Sequence, residues 1–553
     1  LQEFSLGTRE GLALMCLAEA LLRTPDEAAR DRLIAEKIGS ADWAAPLGAS
    51  DSLFVNASTW GLMLTGRLVE PDAEAKRDPR GFLGRLAGRL GEPVIRAAVA
   101  QAVRIMGEQF VLGRTIEAAL HRAREESWLC SFDMLGEGAR TFADAARYED
   151  AYANAIGAVG RADAGEGPEA GHGVSVKLSA LCPRYEATQA QRVQDELYHR
   201  LLRLARLAAD HDLNLTPDAE EADRLVLSLQ LLDRLAHEPS LGAWRGLGLA
   251  VQAYQKRAPQ VIAALSDLSA HSGRRLMVRL VKGAYWDTEI KRAQVAGRPD
   301  YPVFTTKAAT DLSYLVCARD ILAASPRLYG QFATHNAHSL AAVRQMAKDA
   351  GVAVEFQRLH GMGEALYGAA EAEAPLRLRA YAPVGGHEDL LPYLVRRLLE
   401  NGANTSFVHA LLDERMPVEQ VVGDPIAQVR AAGPGRHPKI PPPPEIYGQD
   451  RRNARGVDLT IAVERDRLTA AIRALEPVTA GPLVGGVLRA GVGQSARYSP
   501  QAPSAVAGQA AEASSADIEA AFSLARAAPP GRGPGGRPAR GRVPGALGEG
   551  PGG

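Results

Sequence analysis

The sequence predicts an α/β protein whose middle part is a (βα)8 barrel of the TIM type. Between residues 128 and 408, eight short β-prone runs alternate with stretches of helical pattern, and each gap is long enough for a crossover helix. Eight such repeats match a (βα)8 barrel in number and size. An open doubly wound sheet is the competing interpretation, but the glycine strings at 246–248 and 361–363 lack the third glycine of a dinucleotide-binding loop. We therefore favour the barrel.

The eight predicted strands are short and mostly apolar. They are residues 129–134, 174–178, 213–216, 249–253, 276–281, 331–334, 354–357 and 378–382. Before them, residues 1–125 have a helical pattern, with a capping box at residues 24–27 and apolar residues at helical spacing after it. Because this segment carries no catalytic motif, we expect a helical arm and packing domain there, followed by the barrel domain over 126–430.

Three segments follow the barrel. Residues 431–456 contain four consecutive prolines and are expected to form a stiff Pro/Gly-rich linker. In the next segment, 457–528, residues 457–476 have a helical pattern, residues 477–510 are loop-rich, and Ser514 is placed to cap a helix. Residues 529–553 consist largely of Gly and Pro, so we expect them to be disordered.

Both ends of the sequence have the features of a cut chain. Residue 1 is Leu, and the helical pattern starts almost at once, so we expect the sequence to begin inside a longer protein. For the tail after residue 528 we favour a frameshift in the gene, and the alternative is a genuine flexible tail.

The composition argues against several classes of protein. The 553 residues include 64 Lys and Arg against 65 Asp and Glu, so no bulk attraction to nucleic acid is expected. The four cysteines show no CxxC spacing, which argues against a disulfide scaffold or a zinc ribbon and fits a reducing compartment. No apolar run reaches the ~18 residues of a membrane-spanning helix, and we expect no signal peptide. We therefore expect a cytoplasmic protein.

Polar or ionisable residues follow nearly every predicted strand, at the end where barrel enzymes carry their chemistry. They are Glu137, Lys177, Asp218 with Glu220 and Glu221, Gln252, Arg279 with Lys282, His335 with Asn336, Gln357, and Tyr381. The cations among them suit a carboxylate or a phosphorylated cofactor. Lys177 alone could instead form a Schiff base, as in aldolase-type barrels.

Two further patterns flank this predicted site. Arg396 and Arg397 lie together in a helical pattern after the last strand, either as a guanidinium clamp on a carboxylate or as a solvated surface pair. After the fifth strand, residues 283–286 place small residues beside aromatic ones, which either line a planar cofactor or simply pack. His335 and His338 have no carboxylate partner that would complete a metal site, so we expect a cofactor contact and no metal.

Longer strings of residues carry a resemblance to a known family. These strings are SFDMLGE (131–137), VSVKLSAL (174–181), DAEE (218–221), QAYQKR (252–257), RLVKGAYWD (279–287), THNAH (334–338), FQ (356–357), LHGMGE (359–364), YAPVG (381–385) and RRLLENGANTS (396–406). In this order they closely resemble the proline dehydrogenase half of bacterial proline utilization A, a bifunctional proline dehydrogenase and pyrroline-5-carboxylate dehydrogenase. The resemblance runs from residue 1 to about residue 450.

The resemblance implies a distorted (βα)8 barrel that holds FAD without a Rossmann motif and oxidises L-proline to Δ1-pyrroline-5-carboxylate. It also implies electron transfer to a membrane quinone, and with it peripheral contact with the inner membrane. The residues that it assigns to the substrate are Arg396, Arg397 and Lys177 on the carboxylate, Tyr381, Tyr285 and Leu359 around the ring, Asp218 in the polar shell, and Glu137 as a gate with Arg396.

The same resemblance assigns a set of cofactor contacts. The residues expected to contact FAD are Gln252, Arg279, Val281, Lys282, Gly283, Ala284, Trp286, Thr305, Lys307, Thr334, His335, Asn336, Gln357 and Ser406. Flavin accepts the hydride equivalent in such a reaction, while the protein supplies placement and a positive field. Arg279 is suited to that field.

The sequence departs from the family at both ends. We expect it to lack the ribbon-helix-helix DNA-binding domain of many members, either by truncation or by type, and we therefore expect no nucleic acid partner. Residues 457–528 resemble only the start of an aldehyde dehydrogenase, without its nucleophilic cysteine, so we expect no second activity. A regulatory DNA-binding protein and a Schiff-base lyase remain the alternatives, and a homo-oligomer is left open.

Overall fold

The computed structural model describes residues 110–163, 165–386, 423–433 and 435–527. Residues 1–109 of the segment predicted to be a helical arm, Arg396, Arg397, Ser406 and the tail from residue 529 therefore lie outside the described residues. The chain divides into two compact units, one drawn from 1–293 and 300–442 and the other from 294–299 and 443–553.

The first unit contains eight parallel strands in the spatial order β3-β2-β1-β8-β7-β6-β5-β4. The strands are β1 Leu129–Met134, β2 Gly173–Val176, β3 Asn214–Pro217, β4 Gly248–Gln252, β5 Leu276–Val281, β6 Leu328–Ala333, β7 Glu355–Leu359 and β8 Arg377–Val384. A parallel bridge between Leu215 and Leu247 links β3 to the residue before β4, so the sheet is nearly closed. The predicted (βα)8 barrel is confirmed.

Helices alternate with these strands. They are α1 Ile116–Glu125, α2 Phe142–Asp163, α3 Tyr198–Asp210, α4 Leu225–Ala236, α5 Ala258–Ser272, α6 Trp286–Val295, α7 Lys307–Ala323, α8 Ala337–Ala350, α9 Glu364–Glu373 and α10 Pro425–Ala432. Shorter turns of helix lie at Gly167–Ala170, Leu178–Leu181 and Ala190–Arg192, and a π-helical segment, Val193–Leu197, leads into α3.

Local chemistry explains where these helices begin and end. Asn336 caps α8, because its side-chain oxygen accepts a hydrogen bond from the backbone N–H of Ser339 at 2.9 Å. The same helix ends at Gly351, which adopts the left-handed conformation (φ 64°) that favours glycine. Asp424 caps α10 in the same way, with Pro425 at the first helical position.

The alternation of side chains in β1 shows how the strands build two environments. Cys130 and Phe132 are fully buried in the apolar cluster that the strands form with the surrounding helices. Ser131 and Asp133, offset by one position, instead contact polar side chains in the neighbouring strand β2 and directly after it. The period of two therefore separates a packing face from a polar interior.

A buried ion pair closes the amino-terminal end of the barrel. Arg379, near the start of β8, donates to both carboxylate oxygens of Glu355 in β7, at 2.8 and 3.0 Å. Both side chains have no solvent exposure. The remaining Arg379 donors reach the carbonyl oxygens of Cys130, Pro168, Glu169 and Gly171. We call Arg379 and Glu355 the floor pair.

The second unit carries secondary structure that the sequence reading missed. Helices α11 Ala462–Arg473 and α12 Ser515–Ala527 agree with the helical patterns, and Ser514 caps α12 by accepting from the N–H of Asp517. The loop-rich expectation for residues 477–510 was wrong, because this segment contains strands. They are β9 Val478–Ala480, β10 Leu483–Val484, β11 Val487–Leu488, β12 Val492–Ser499 and β13 Ala502–Glu512. Their many Ala, Gly and Ser residues have low β propensity, which hides the strands.

Candidate active site

Lys177 lies at the centre of a polar cluster at the carboxyl-terminal end of the barrel. It directly follows β2, and the residue is only 5% exposed. Its Nζ donates to Asp133 Oδ2 at 2.8 Å and to Asp218 Oδ2 at 3.1 Å. A third contact, also 3.1 Å, joins it to the hydroxyl of Tyr381. Residues in β1 and β8 and directly after β3 thus bring three oxygen atoms within hydrogen-bond distance of one ammonium group.

Arg279 extends this cluster from the opposite side of the barrel. Its Nη1 donates to Asp218 Oδ1 at 2.9 Å, and its Nη2 donates to the hydroxyl of Ser131 at the same distance. The guanidinium carbon lies 5.2 Å from the ring centre of Tyr381, which adds a cation–π contact. We call Lys177, Asp133, Asp218, Arg279 and Tyr381 the mouth cluster.

Tyr381 joins the mouth cluster to an apolar surface. Its hydroxyl lies 2.7 Å from Asp133 Oδ2 and 2.6 Å from Asp218 Oδ2. Its ring packs with Leu359 against a small apolar cluster formed by Phe110, Val111, Leu135 and Met362. A ligand in this place would meet charged groups on one side and apolar groups on the other.

The pKa directions follow from burial and from the two cations. Burial of Asp218 favours its neutral form, but Lys177 and then Arg279 outweigh it and lower the pKa. Burial also lowers the pKa of Lys177, yet the acidic neighbours, Asp133 first, raise it well above its ordinary value. For Asp133 burial dominates over the attraction of Lys177, so its pKa is raised. Burial and the two carboxylates raise the pKa of the Tyr381 phenol, which therefore stays protonated.

These contacts argue against the Schiff-base alternative. A Schiff-base lysine needs a neutral amine with a lowered pKa. Lys177 has a raised pKa and donates to three oxygen atoms. The arrangement is that of a fixed cation.

Asp133 is the member of this cluster that the sequence reading missed. The sequence-based prediction covers residues that follow strands, whereas Asp133 lies inside β1, next to its last residue. The signal was present in the alternation of that strand, where Ser131 and Asp133 interrupt an otherwise apolar run at period two.

Glu220 ties together the loops that carry two predicted site residues. Its Oε1 accepts from the backbone N–H of Ser179, two residues after Lys177, at 2.9 Å. Its carbonyl oxygen accepts from Nε2 of Gln252 at 2.7 Å. Burial raises the pKa of Glu220 although Arg224, with which it forms an ion pair, opposes the shift.

Several residues expected to contact FAD cluster around the loop after β5. Lys282 and Lys307 share one carboxylate, that of Asp311, so this group carries a net positive charge. Lys282 also lies over the ring of Tyr314. Burial lowers the pKa of Lys282 against the pull of Asp311.

The small residues of that loop fit closely against their neighbours. At Gly283 (φ +132°) a Cβ would lie 2.5 Å from the ring of Tyr254, so a side chain is excluded. The N–H of Ala284 points at Oε1 of Gln252 at 3.4 Å, and the carbonyl of Val281 accepts from Ala253 at 2.8 Å.

Trp286 and Thr305, also expected at the cofactor, make hydrogen bonds within the protein. The indole N–H of Trp286 donates to the carbonyl of Phe304 at 2.8 Å. The hydroxyl of Thr305 accepts from the N–H of His437 at 3.0 Å. Trp286 packs beside Tyr254 and Tyr301 in a separate apolar cluster.

The expected contacts after β6 and within β7 form a second group. Thr334 Oγ1 accepts from the N–H of Asn336 at 3.1 Å, and His335 Nε2 accepts from the N–H of Leu359 at 3.1 Å. The Nε2 of Gln357 donates to Glu355 Oε1 at 2.7 Å. The first two bonds fix the loop after β6, and the His335 bond links this loop to the end of β7.

The remaining predicted residues have different outcomes. Glu137 follows β1, and the next two residues are held by Ser179 through its hydroxyl and its carbonyl. Tyr285 is half-buried after β5, and its carbonyl accepts from Glu289 at 2.9 Å. The predicted clamp of Arg396 and Arg397, the gate that pairs Arg396 with Glu137, and the Ser406 contact lie outside the described residues and stay predictions.

The described residues contain neither a candidate metal site nor a helix suited to span a membrane. Within these ranges no three His, Cys, Asp or Glu side chains approach closely enough to hold a metal ion. Of the helices described in 110–527, none has the length and apolar character needed to span a membrane.

Comparison with known proteins shows the family to which the chain belongs. The model of the proline dehydrogenase family matches residues 116–410, more than half of the sequence. The chain belongs to the proline dehydrogenase family. The match covers every strand of the barrel and every member of the mouth cluster.

Similar proteins support this membership. The chain is 50% identical over 543 residues to the bifunctional protein PutA of Escherichia coli, covering 95% of this chain and 41% of that protein. PutA of Rhizobium meliloti is 49% identical, with 88% of this chain and 40% of the relative covered. A crystal structure of a proline utilization A variant from Bradyrhizobium japonicum superposes with a TM-score of 0.67 at 50% identity. It covers 86% of this chain and 48% of that one. The chain thus spans about two-fifths of the length of the PutA relatives.

A second family model bears on the N-terminal segment. The model described as the DNA-binding domain of proline dehydrogenase matches residues 1–110. This match runs against our expectation of no nucleic acid partner and of a plain packing domain. Residues 1–109 lie outside the described residues, so those expectations stay predictions.

Proposed function

We propose that the mouth cluster binds L-proline and that the chain oxidises it to Δ1-pyrroline-5-carboxylate with FAD as cofactor. The observation that carries the proposal is the buried cluster around Lys177, with two cations, two carboxyl groups and an aromatic ring at the carboxyl end of the barrel. Family membership supports proline as the substrate.

The residues present fit FAD. Nε of Arg279 is buried and has no hydrogen-bond partner among the described residues. The amide oxygens of Gln331 and Gln357 are likewise buried and unpartnered in the described part of the chain. A flavin ring offers both acceptors and an N–H donor, so these free atoms match its edge. Lys282 and Lys307, with one carboxylate between them, suit a diphosphate.

We therefore assign the flavin end to Arg279 and Gln357, and the diphosphate end to Lys282 and Lys307. When bound, FAD supplies the acceptor for the hydride equivalent from the ring carbon next to the proline nitrogen. The positive charge of Lys177 attracts the proline carboxylate, and Arg396 and Arg397 hold it, as the family resemblance implies. Tyr381 and Leu359 pack against the pyrrolidine ring and exclude water from it.

The destination of the electrons is part of the same proposal. We infer that they pass to a membrane quinone and that the protein works in the cytoplasm in peripheral contact with the inner membrane. A quinone analogue should support continuous turnover of L-proline, and added vesicles with quinone should replace it. If neither the analogue nor the vesicles support turnover, this part of the proposal is wrong.

An anaerobic titration tests the central reaction. The purified protein should show the visible spectrum of a flavin, and L-proline should bleach it while other amino acids do not. A yellow protein that L-proline does not bleach would refute the substrate, and a colourless protein that takes up no added FAD would refute the cofactor. Formation of NADH from pyrroline-5-carboxylate would contradict the expectation of no second activity.

A further inference from the structure

The hydroxyl of Tyr381 has more close oxygen neighbours than its single proton can serve. It lies 2.7 Å from Asp133 Oδ2 and 2.6 Å from Asp218 Oδ2, both distances of strong hydrogen bonds. A phenol has one proton to donate. One of the two contacts must therefore be donated by the carboxyl group. Two ionised carboxylates on this hydroxyl would leave one O···O contact without a hydrogen.

Lys177 does not remove this shortage. Its ammonium group donates to Asp133 Oδ2, to Asp218 Oδ2 and to the Tyr381 hydroxyl, so its three protons are already used. The cluster of one nitrogen and three oxygens therefore needs one proton beyond those of a lysine ammonium and a phenol.

The surroundings of the two acids decide which one holds that proton. Asp218 accepts from both cations, through Oδ1 from Arg279 and through Oδ2 from Lys177, as an ionised carboxylate does. Asp133 is fully buried, and its Oδ1 has no hydrogen-bond partner among the described residues. An orphaned oxygen costs far less free energy in a neutral acid than in an anion.

We propose that Asp133 is a positioning residue that stays protonated and donates to Tyr381, whose own proton goes to Asp218. Burial, which raises the pKa of Asp133, acts in the same direction. The charged and titratable groups that face Asp133 are Lys177 after β2, Asp218 after β3, Tyr381 in β8 and Tyr152 in α2, and Arg279 in β5 forms an ion pair with Asp218.

The proton sets the charge of the mouth cluster. With Asp133 neutral, Lys177 and Arg279 face one carboxylate, that of Asp218, and one positive charge remains for a ligand. With both acids ionised the cluster would be neutral. The link to ligand binding rests on the proposed function, because a net cation is what a proline carboxylate needs; the position of the proton rests on the contacts alone.

Infrared spectroscopy of the full chain tests the proton directly. With 13C at the aspartate carboxyl groups, the label-sensitive C=O band of a protonated aspartic acid should be present at pH 8. The labelling excludes Glu220 and Glu289, whose pKa values burial also raises. Asp163, whose pKa burial raises to about 6, is ionised at pH 8.

Two variants assign the band. Asp133→Asn should abolish it. Asp311→Asn should keep it, because Asp311 is a buried aspartate whose pKa the two lysines lower. Absence of the band in the unmodified protein, or its persistence in Asp133→Asn, would overturn the proposal. The unmodified protein decides the first point even if the Asp133 variant does not fold.

A binding measurement separates this inference from the proposed function. Cyclopentanecarboxylate keeps the ring and carboxylate of proline without an oxidisable C–N bond. Its affinity should fall about tenfold when Asp133 ionises at high pH, and should be independent of that step in Asp133→Asn, whose amide still donates to Tyr381. The band without ligand binding would support the proton and refute the proline site. Ligand binding without the band would support the proline site and refute the proton on Asp133.

Discussion

The floor pair and the mouth cluster are both buried charged groups in one barrel, yet they differ in how completely their atoms are used. Arg379 spends all its nitrogen atoms on Glu355 and on backbone carbonyls. Arg279 leaves Nε without a partner among the described residues, as Asp133 leaves Oδ1. A saturated pair holds the barrel together, whereas the unpaired atoms at the mouth can serve a ligand.

The same difference separates what each cluster contributes. The floor pair joins β7, β8 and the carbonyls of the turn at 168–171, so its loss should open the barrel. The mouth cluster joins β1, β5, β8 and the residues after β2 and β3. It also contains one group that is neutral in our account, Asp133. It can therefore lose a charge at a smaller cost in stability.

The largest effect is expected from breaking the floor pair. Arg379→Met should lower the free energy of unfolding by about 3–5 kcal/mol, because it leaves the Glu355 carboxylate buried without a cation. The double variant Arg379→Met/Glu355→Met should recover most of that loss. Denaturant unfolding curves measure both. A loss below about 1 kcal/mol in the single variant would show that the pair is not structural.

The next effect concerns function at the mouth. Lys177→Met should lower kcat/KM for L-proline by about 10–150-fold, because it removes a cation from the substrate site and the charged hydrogen bond, of about 1.5–3 kcal/mol, that positions Tyr381. Its unfolding free energy should fall less than that of Arg379→Met, since Asp218 keeps Arg279 as partner. Steady-state kinetics with a quinone analogue measure the first quantity. Equal losses of unfolding free energy in Lys177→Met and Arg379→Met would contradict the difference between the mouth cluster and the floor pair.

A smaller effect is expected at Glu220, which accepts hydrogen bonds from the backbone two residues after Lys177 and from the side chain of Gln252. Glu220→Ala removes the acceptor of the Ser179 N–H, a bond of about 0.5–1.5 kcal/mol, and should lower kcat/KM about 2–13-fold. Glu220→Gln keeps an acceptor oxygen and should recover part of this loss. Equal activity of the two variants would show that the hydrogen bond to Ser179 does not position the site.

The smallest effect is a change in acid sensitivity. Burial lowers the pKa of His360 from 6.5 to about 4, so its contribution to stability is complete above pH 6.5 and is lost as the pH falls toward 4. His360→Phe removes two ring nitrogens that have no partner in the described chain and should weaken the fall in Tm between pH 7 and pH 5.

His172 is the matched control for that variant. Burial lowers its pKa to about 4 as well, but its Nδ1 accepts from the N–H of Cys130 at 3.0 Å. His172→Phe should therefore lower Tm at pH 7, whereas His360→Phe should not. A similar loss in both variants would contradict the distinction between partnered and unpartnered nitrogens.

The sequence predicted the fold well, and for a physical reason. β1 and β5 begin and end where the pattern predicts, at 129–134 and 276–281, and the other barrel strands overlap their predicted ranges. Strands buried on both faces stand out as apolar runs between helical segments. The exposed, Ala- and Gly-rich hairpin β12–β13 lacks that contrast and was missed.

The site was only partly predictable. Lys177, Asp218, Arg279 and Tyr381 stand at or near strand ends, and the structure brings them together. The floor pair gave no comparable signal. Arg377 and Arg379 occupy alternate positions of β8, but the Arg377 side chain is 42% exposed and that of Arg379 is fully buried. Two positions apart, both residues fall on the same face of the strand in the sequence pattern, and only the tertiary fold distinguishes the exposed arginine from the buried one.

Reduction of bound flavin by L-proline in two matched variants tests the central claim most directly. The claim is that the mouth cluster performs the chemistry and the floor pair only supports the barrel. Anaerobic stopped-flow mixing should show rapid bleaching in the unmodified protein and in Arg379→Met/Glu355→Met, and at least tenfold slower bleaching in Lys177→Met at the same low proline concentration. Equal rates in Lys177→Met and the unmodified protein, or no bleaching in either, would contradict the account.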